Sequence, residues 1–328
     1  MNTLLECNIK KRKTIQSYLK ELIGFFALLL LVAIISLISP QFVAAGNINN
    51  LLTDLSPLLI TGCGMTFVLL TGAIDLSVGA ICSCSAVILT LFIQGGMGVL
   101  AYLIAMLFGL FAGLINGFLF TKVKMPSFIT TLGTMSMWNS VALLISGGMP
   151  LQIKPAYYGF INWSKVKFMK FLPLMFIIAV IVLIIMYVVQ RYTKLGKYVY
   201  AIGANERATY LAGINIDLAK IMSFVLCGGT AALTGIFLSA KLKSGIPTVG
   251  DQLVLQVVAA VALGGTSLSG GKGNVLYALL GCLIVTVIRS GMNIVGIDPM
   301  WQQVFFGMLV IAAVSLTVDR SGRDRIIK

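Results

Sequence analysis

Histidine is absent from all 328 residues, and only ten residues are acidic: Glu6, Glu21, Asp54, Asp75, Glu206, Asp217, Asp251, Asp298, Asp319 and Asp324. Without imidazole, neither a Ser-His-Asp nor a Cys-His arrangement can be built. A zinc site would have to rest on cysteines and carboxylates, and these do not cluster. The six cysteines are Cys7, Cys63, Cys82, Cys84, Cys227 and Cys282. Cys82 and Cys84, two apart on a helix, point about 200° away from each other and cannot share a metal. They read as small packing residues, and no metal or cofactor is expected of this chain. Charge of either sign makes up only 10% of the sequence, well below the share in a soluble domain. The 46 residues from Leu76 to Thr121 carry none.

That run decides the class. Crossing a hydrocarbon core takes roughly 20 apolar residues, so the run holds two spanning helices, broken near Gly95-Gly96-Met97-Gly98. Lipid offers the backbone no hydrogen-bond partner, so each crossing must close its bonds as a helix. Hydrophobic residues make up 59% of the chain. The expectation is an all-α polytopic membrane protein with about ten spans. They fall near 22–39, 55–74, 76–94, 98–121, 126–146, 171–190, 221–240, 252–265, 274–294 and 299–318. The eighth is short.

A net charge of +14 invites a nucleic-acid reading, but the cations lie between apolar runs and read instead as orientation by cytoplasmic Lys and Arg. With both termini cytoplasmic, seventeen Lys and Arg fall inside and six outside, and Arg289 lies within a span. The outer loop from Lys154 to Lys170 carries four lysines, against the rule. Tyr157, Tyr158, Phe160, Trp163 and Phe168 accompany them, a mixture suited to the headgroup layer. A misassigned span is the rival reading. The first apolar stretch is longer than a signal-peptide core of 7–15 residues, so it is expected to stay as a span.

Proton- and sodium-coupled carriers usually place ionisable groups deep in the membrane. Only Asp54, Asp75, Asp251 and Asp298 come close to spans, each near an end. The segment Leu263 to Asn274 imitates a nucleotide loop without being one. A phosphate-cradling loop needs Gly five positions before Gly271 and Ser or Thr after Lys272; those positions hold Thr266 and Gly273. No ATP hydrolysis is expected of this chain alone.

Three segments stand out. Gly72-Ala73-Ile74-Asp75-Leu76-Ser77-Val78-Gly79 joins the second and third spans. Asp75 or Ser77 can cap the third helix, which makes the segment either a tight capped turn or a hinge lining a substrate path. The second is the glycine-rich stretch with Gly264, Gly265, Ser269, Gly270 and Gly271. The third is the inner loop 191–220. There Asn205 can cap a short helix that has Glu206 in its first turn and ends at Gly213. This is a docking element or an ordinary interfacial helix.

With Pro126 to Thr134, Tyr200 to Glu206, Gly213-Ile214-Asn215, Leu263 to Gly273 and Trp301-Gln302-Gln303, these segments cover roughly residues 50–315. In that order and spacing the chain resembles an inner-membrane permease of an ATP-binding-cassette (ABC) importer, in the ribose/galactose/xylose permease family. The resemblance implies a single permease domain over 1–328, with 1–21, 191–220 and 319–328 cytoplasmic, in the bacterial cytoplasmic membrane. It implies two such subunits, identical or related, around a path for a monosaccharide such as ribose. It also implies an ATPase subunit or fused double ATPase, and a periplasmic or lipid-anchored solute-binding protein. The coupling helix would comprise Asn205, Glu206, Arg207, Ala208, Gly213 and Ile214. Gly72, Asp75, Leu76, Ser77 and Gly79, with the glycine-rich stretch, would form the transport motif.

For a neutral sugar the path should be lined by amides, hydroxyls and aromatics, and the candidates are Asn116, Thr130, Thr131, Asn139, Gln256 and Asn293. Each could equally make an interhelical hydrogen bond. Autoinducer-2, nucleosides or another small polar solute are alternative substrates, and a secondary carrier acting without an ATPase is the alternative class. One departure is local. Where the sugar permeases commonly have Tyr-Glu-Leu-Asp before the glycine-rich stretch, this chain has Leu253-Val254-Leu255-Gln256.

Overall fold

A computed structural model describes residues 24–169 and 171–317. The basic segments 1–21 and 319–328, together with Cys7 and Lys170, lie outside the described residues. The apolar runs fold as α1 (Gly24–Ile38), α2 (Ala45–Leu70), α3 (Val78–Gln94), α4 (Leu100–Thr121), α5 (Ser127–Ser146), α6 (Leu174–Tyr192), α9 (Ile216–Leu242), α10 (Leu253–Leu263), α11 (Val275–Val295) and α12 (Pro299–Thr317). Two more polar helices, α7 (Lys194–Ala204) and α8 (Glu206–Leu211), lie between α6 and α9. Among the described residues, α2, α4, α5, α6, α9 and α11 are long and apolar enough to cross a membrane. The other four apolar helices are shorter.

Two spans begin earlier than expected. The second starts at Ala45 rather than near 55. Asn47, Asn49, Asn50 and Asp54 disguise its first turns, but three of these side chains are used, Asn47 donating to the Phe42 carbonyl at 2.7 Å. Asn49 is buried and donates to the Phe171 carbonyl, and Asp54 pairs with Lys241. The seventh starts at Ile216 rather than near 221. The expected span at 252–265 is an 11-residue helix, about 16 Å long and so half a crossing.

The packing inverts the soluble pattern. Along one face of α4, Leu103, Leu107, Phe111, Leu114 and Phe118 are exposed. On the opposite face Gly109, Gly113 and Gly117 lie against α9, and a Cβ on Gly109 would stand 2.6 Å from the Gly228 carbonyl oxygen. Helices in lipid gain little from hiding apolar surface, and small residues let their backbones approach. The core is α2, α3 and α9, with Leu59, Phe67, Ile81, Leu89, Phe224 and Phe237 fully buried.

Among the described residues, no helix long enough to cross a membrane lies between α5 and α6. Residues 151–173 form short helical turns and two-residue strands. Strand β1 (Leu151–Gln152) pairs antiparallel with β4 (Ser244–Gly245), and β2 (Lys167–Phe168) pairs antiparallel with β3 (Leu172–Pro173). This segment is tied to one end of the bundle. Gln94 donates to the Gln152 carbonyl (2.8 Å), Trp163 to the Tyr102 hydroxyl (2.9 Å) and Ser164 to the Ala240 carbonyl (3.1 Å). We call this the hairpin end. Helices α7 and α8 follow the far end of α6 and occupy the opposite end.

Candidate functional site

The broken span builds the first half of the site. Helix α9 stops at Leu242, where Lys243 takes a left-handed conformation (φ 55°). The chain then runs back along α3 without helical structure. Gly245 packs on Ala86 and Thr90, and Gly250 on Gly79. At the last contact, a Cβ on Gly250 would lie 2.0 Å from the Gly79 carbonyl oxygen, and one on Gly79 would lie 2.4 Å from that of Gly250. The Gly250 amide donates to Ser83 Oγ at 2.9 Å. Non-helical backbone at this depth survives only where protein covers it and supplies partners, and α3 does both.

Helix α10 then runs out toward the α8 end, where Gly264 abuts the backbone of Tyr277 in the first turn of α11. Being half a crossing long, it begins near mid-depth. Residues around its N-terminus, the positive end of its dipole, border a cleft of about 100 Å³ lined by Asp251, Gln252, Leu255, Gln256, Gln303 and Phe306, and the Leu253 amide donates to the Gly250 carbonyl at 2.9 Å. The sequence position that departs from the sugar-permease pattern, Leu253 to Gln256, is the first turn of this half-helix.

A buried polar chain lies on the other side of Gly79. Asp75 and Ser77 are fully buried. Asp75 Oδ1 accepts from the Ser77 amide (2.9 Å) and hydroxyl (2.6 Å). Ser77 Oγ also accepts from Asn116 Nδ2 (2.7 Å), and Asn116 Oδ1 accepts from Thr134 Oγ1 (2.7 Å). The expected side-chain cap on α3 is not made. Asp75 instead closes a turn on the Ser77 amide, and the chain ties α3, α4 and α5 together.

At the α8 end, three side chains cap three successive helices. Thr193 Oγ1 accepts from Gly196 N, Asn205 Oδ1 from Ala208 N (2.9 Å), and Asn215 Oδ1 from Leu218 N (3.0 Å). Gly213, at φ 77°, turns the chain out of α8. Glu206 pairs with Lys220 at 2.7 Å and Lys122 with Asp217 at 2.7 Å. Glu206, Arg207, Tyr210, Ile216 and Asp217 line a groove of about 400 Å³. Arg207, Ala208, Tyr210 and Leu211 are exposed, and Ile214 is half-buried. The glycine-rich stretch lies against this end: the Gly271 amide donates to the Leu70 carbonyl at 2.9 Å, Tyr200 donates its hydroxyl to the Gly273 carbonyl, and Gly72 approaches Ser269. Burial holds the Tyr200 phenol above its ordinary pKa.

The path candidates therefore separate. Gln256 lines the cleft. Asn116 uses both ends of its amide within the bundle. Thr131 donates to the Ser127 carbonyl at 2.9 Å, and Thr130 is buried beside it. Asn139 is half-buried in α5. Asn293, at the hairpin end of α11, accepts from Gln302 at 2.7 Å. Asp251, Gln252 and Gln303 were not among the candidates. A Gly-Asp-Gln step before a helix too short to cross was the available signal.

Comparison with known proteins agrees with this architecture. A family profile described as "Branched-chain amino acid transport system / permease component" matches residues 47–314. The ribose import permease protein RbsC of Bacillus subtilis is 38% identical over 95% of this chain and 97% of that protein. RbsC of Escherichia coli K12 is 34% identical over 93% and 95%, and the D-allose transport system permease protein AlsC of the same strain 31% over 89% and 90%. No solved structure matches. The chain belongs to this family and is a multi-pass permease of the bacterial inner membrane, similar to the ribose and allose permeases of ABC importers.

Proposed function

We propose that this chain forms half of the translocation path of an ABC importer for a monosaccharide such as ribose. It works with an ATPase, a solute-binding protein and a second permease copy or close relative. The carrying observation is the cleft at the start of α10. The positive end of a half-helix dipole borders it, and Gln252, Gln256 and Gln303 supply neutral donors and acceptors while Phe306 adds an apolar face. Such a surface matches a polyhydroxylated, uncharged solute. The exposed apolar face of α12, with Met300, Trp301, Val304, Phe305 and Met308, is the surface on which we seat the second subunit.

In this reading nine of the apolar helices each make a crossing, α10 completes a tenth together with the non-helical stretch after Lys243, and the α8 end is cytoplasmic. Lys122, Lys124, Arg191, Lys194, Lys197, Arg207, Lys220 and Lys272 gather there, in accord with the positive-inside rule. ATP binding and hydrolysis belong to the partner, whose groove receives α8 as the coupling helix. Moving the permease from 1:99 to 99:1 between its two openings takes roughly 5.5 kcal/mol of differential binding, and the ATP-bound partner supplies it. Helix α7, which leads into α8, packs through Gly203 on Gly271 and Leu70, and the chain from Leu70 onward reaches the Gly79–Gly250 contact, linking that docking site with the half-helix.

The test is uptake into proteoliposomes holding the whole complex. ATP-dependent accumulation of labelled ribose, competed by allose but not by a nucleoside, is expected. Accumulation by this chain alone without ATP would overturn the proposal. Dependence on ATP with preference for a nucleoside or autoinducer-2 would overturn the substrate.

A further inference from the structure

The cations at the hairpin end line neither the cleft at α10 nor the groove at α8. Helix α6 starts at Leu174 and has 19 residues, about 28 Å, close to the roughly 30 Å of a hydrocarbon core. Leu174 therefore marks one boundary of that core, and the β2–β3 turn just before it falls in the headgroup layer. This turn exposes Phe168 (58%), Met169 (82%) and Phe171 (46%). Lys165 and Lys167 interleave with these apolar side chains. Lys243, arriving from the end of α9, sits with its ammonium 4.1 Å over the Tyr158 ring and beside Lys165. The neighbouring Lys243 holds the Lys165 pKa below the ordinary lysine value. Asp54, the acid nearest this end of α9, is already taken by Lys241. Among the described residues no carboxylate pairs with Lys165, Lys167 or Lys243.

We infer that Lys165, Lys167 and Lys243, together with the apolar β2–β3 turn, bind the phosphate group of an anionic phospholipid in the leaflet at the hairpin end. One molecule satisfies both halves of the patch. Its acyl boundary accepts Phe168, Met169 and Phe171, while long lysine stems carry their ammoniums up to the phosphate. A zwitterionic lipid brings its own cation to the site and gains less. A water-soluble protein partner would meet the lysines but leave the apolar turn without a solvent of its own kind. The bound lipid also explains why basic residues are tolerated on an end where the positive-inside rule disfavours them.

Trp163 supplies a local reporter, since the chain has three tryptophans and the indole of Trp163 lies within this segment, donating to Tyr102. The full chain carrying Trp138→Phe and Trp301→Phe is placed in vesicles with brominated phosphatidylglycerol or brominated phosphatidylcholine at equal mole fraction. Stronger quenching of Trp163 by the anionic lipid is expected, and it weakens as salt is raised. Adding Lys165→Gln, Lys167→Gln and Lys243→Gln lowers the preference by roughly fivefold per lysine at low salt. Equal quenching by the two lipids, or a preference indifferent to both salt and the three substitutions, overturns the inference. So does unchanged quenching combined with weakened docking of the solute-binding protein, which would assign the lysines to that partner. The salt titration uses the lysines intact, so it decides the matter even if the triple variant folds poorly. The experiment rests only on the membrane reading, and its failure leaves the transport proposal standing.

Discussion

Lys220 Nζ stands 2.7 Å from Glu206 Oε1 and 4.8 Å above the ring of Phe120, and the lysine side chain is only 10% exposed. Helix α8 is thereby fastened to α9 at its first residue. Glu206 is 39% exposed, so solvent screening limits the pair to about 1 kcal/mol of stability. Its geometric role is the larger one: it fixes the angle of the six residues of α8 against α9.

Lys220→Met is expected to leave the protein in the membrane with a nearly unchanged melt, and to reduce substrate-stimulated ATP hydrolysis in the reconstituted complex at least tenfold. Lys220→Arg should restore most of it. Glu206→Lys, which sets two ammoniums against each other, should abolish stimulation. Normal stimulation in Glu206→Lys, with unchanged assembly, would refute a docking role for α8.

The Gly79–Gly250 contact allows no side chain. Gly250→Ala places a methyl 2.0 Å from a backbone oxygen, an overpacking that costs roughly 1–3 kcal/mol. Ser83→Ala leaves the buried Gly250 amide without its acceptor, also at about 1–3 kcal/mol. Both should lower the melting temperature in detergent. Gly133→Ala, where a Cβ meets nothing within 4 Å, is the control and should match or exceed wild type.

Cleft and bundle amides should respond differently. Gln256→Ala and Gln303→Ala are expected to raise the KM for uptake roughly two- to tenfold each, the worth of one ordinary hydrogen bond, with little change in melting. Asn116→Ala should lower stability by about 1 kcal/mol, since two interhelical bonds average about 0.6 kcal/mol each, while KM stays put. Uptake indifferent to both glutamines would remove the cleft from the path.

Lysine titration gives the lipid site a pH signature. Lys243 beside Lys165 favours the neutral form of Lys165, and Tyr158 opposes this more weakly. The lowered pKa means that Lys165 gives up its proton below the ordinary lysine range as pH rises. The Trp163 quenching preference for anionic lipid should therefore begin to fall below the ordinary lysine range. A preference that stays flat up to that range would exclude Lys165 as a contributor.

Several features could be read along the chain because their causes are local. The charge-free run from Leu76 to Thr121 required helices, and Asn205, Glu206 and Gly213 announced a short capped helix with its stop signal. Asn49 and Asp54 misled the reading of α2, since their partners, Phe171 and Lys241, are far away in sequence. The expected span at 252–265 concealed a half-helix for the same reason. Its apolar length looked like a short crossing, and only α3, with Ser83 and Gly79, explains how bare backbone can lie beside it.

Solvent chemistry settles what the sequence alone determined: a helical chain in lipid, basic at its loops and without histidine. The first two follow from side-chain transfer energies and backbone hydrogen bonding, which depend on neighbours a few residues apart. Which amide faces a cleft and which merely joins two helices was decided only by tertiary structure. Gln256 and Asn116 are alike as residues, and they differ in whether another helix already occupies their hydrogen bonds.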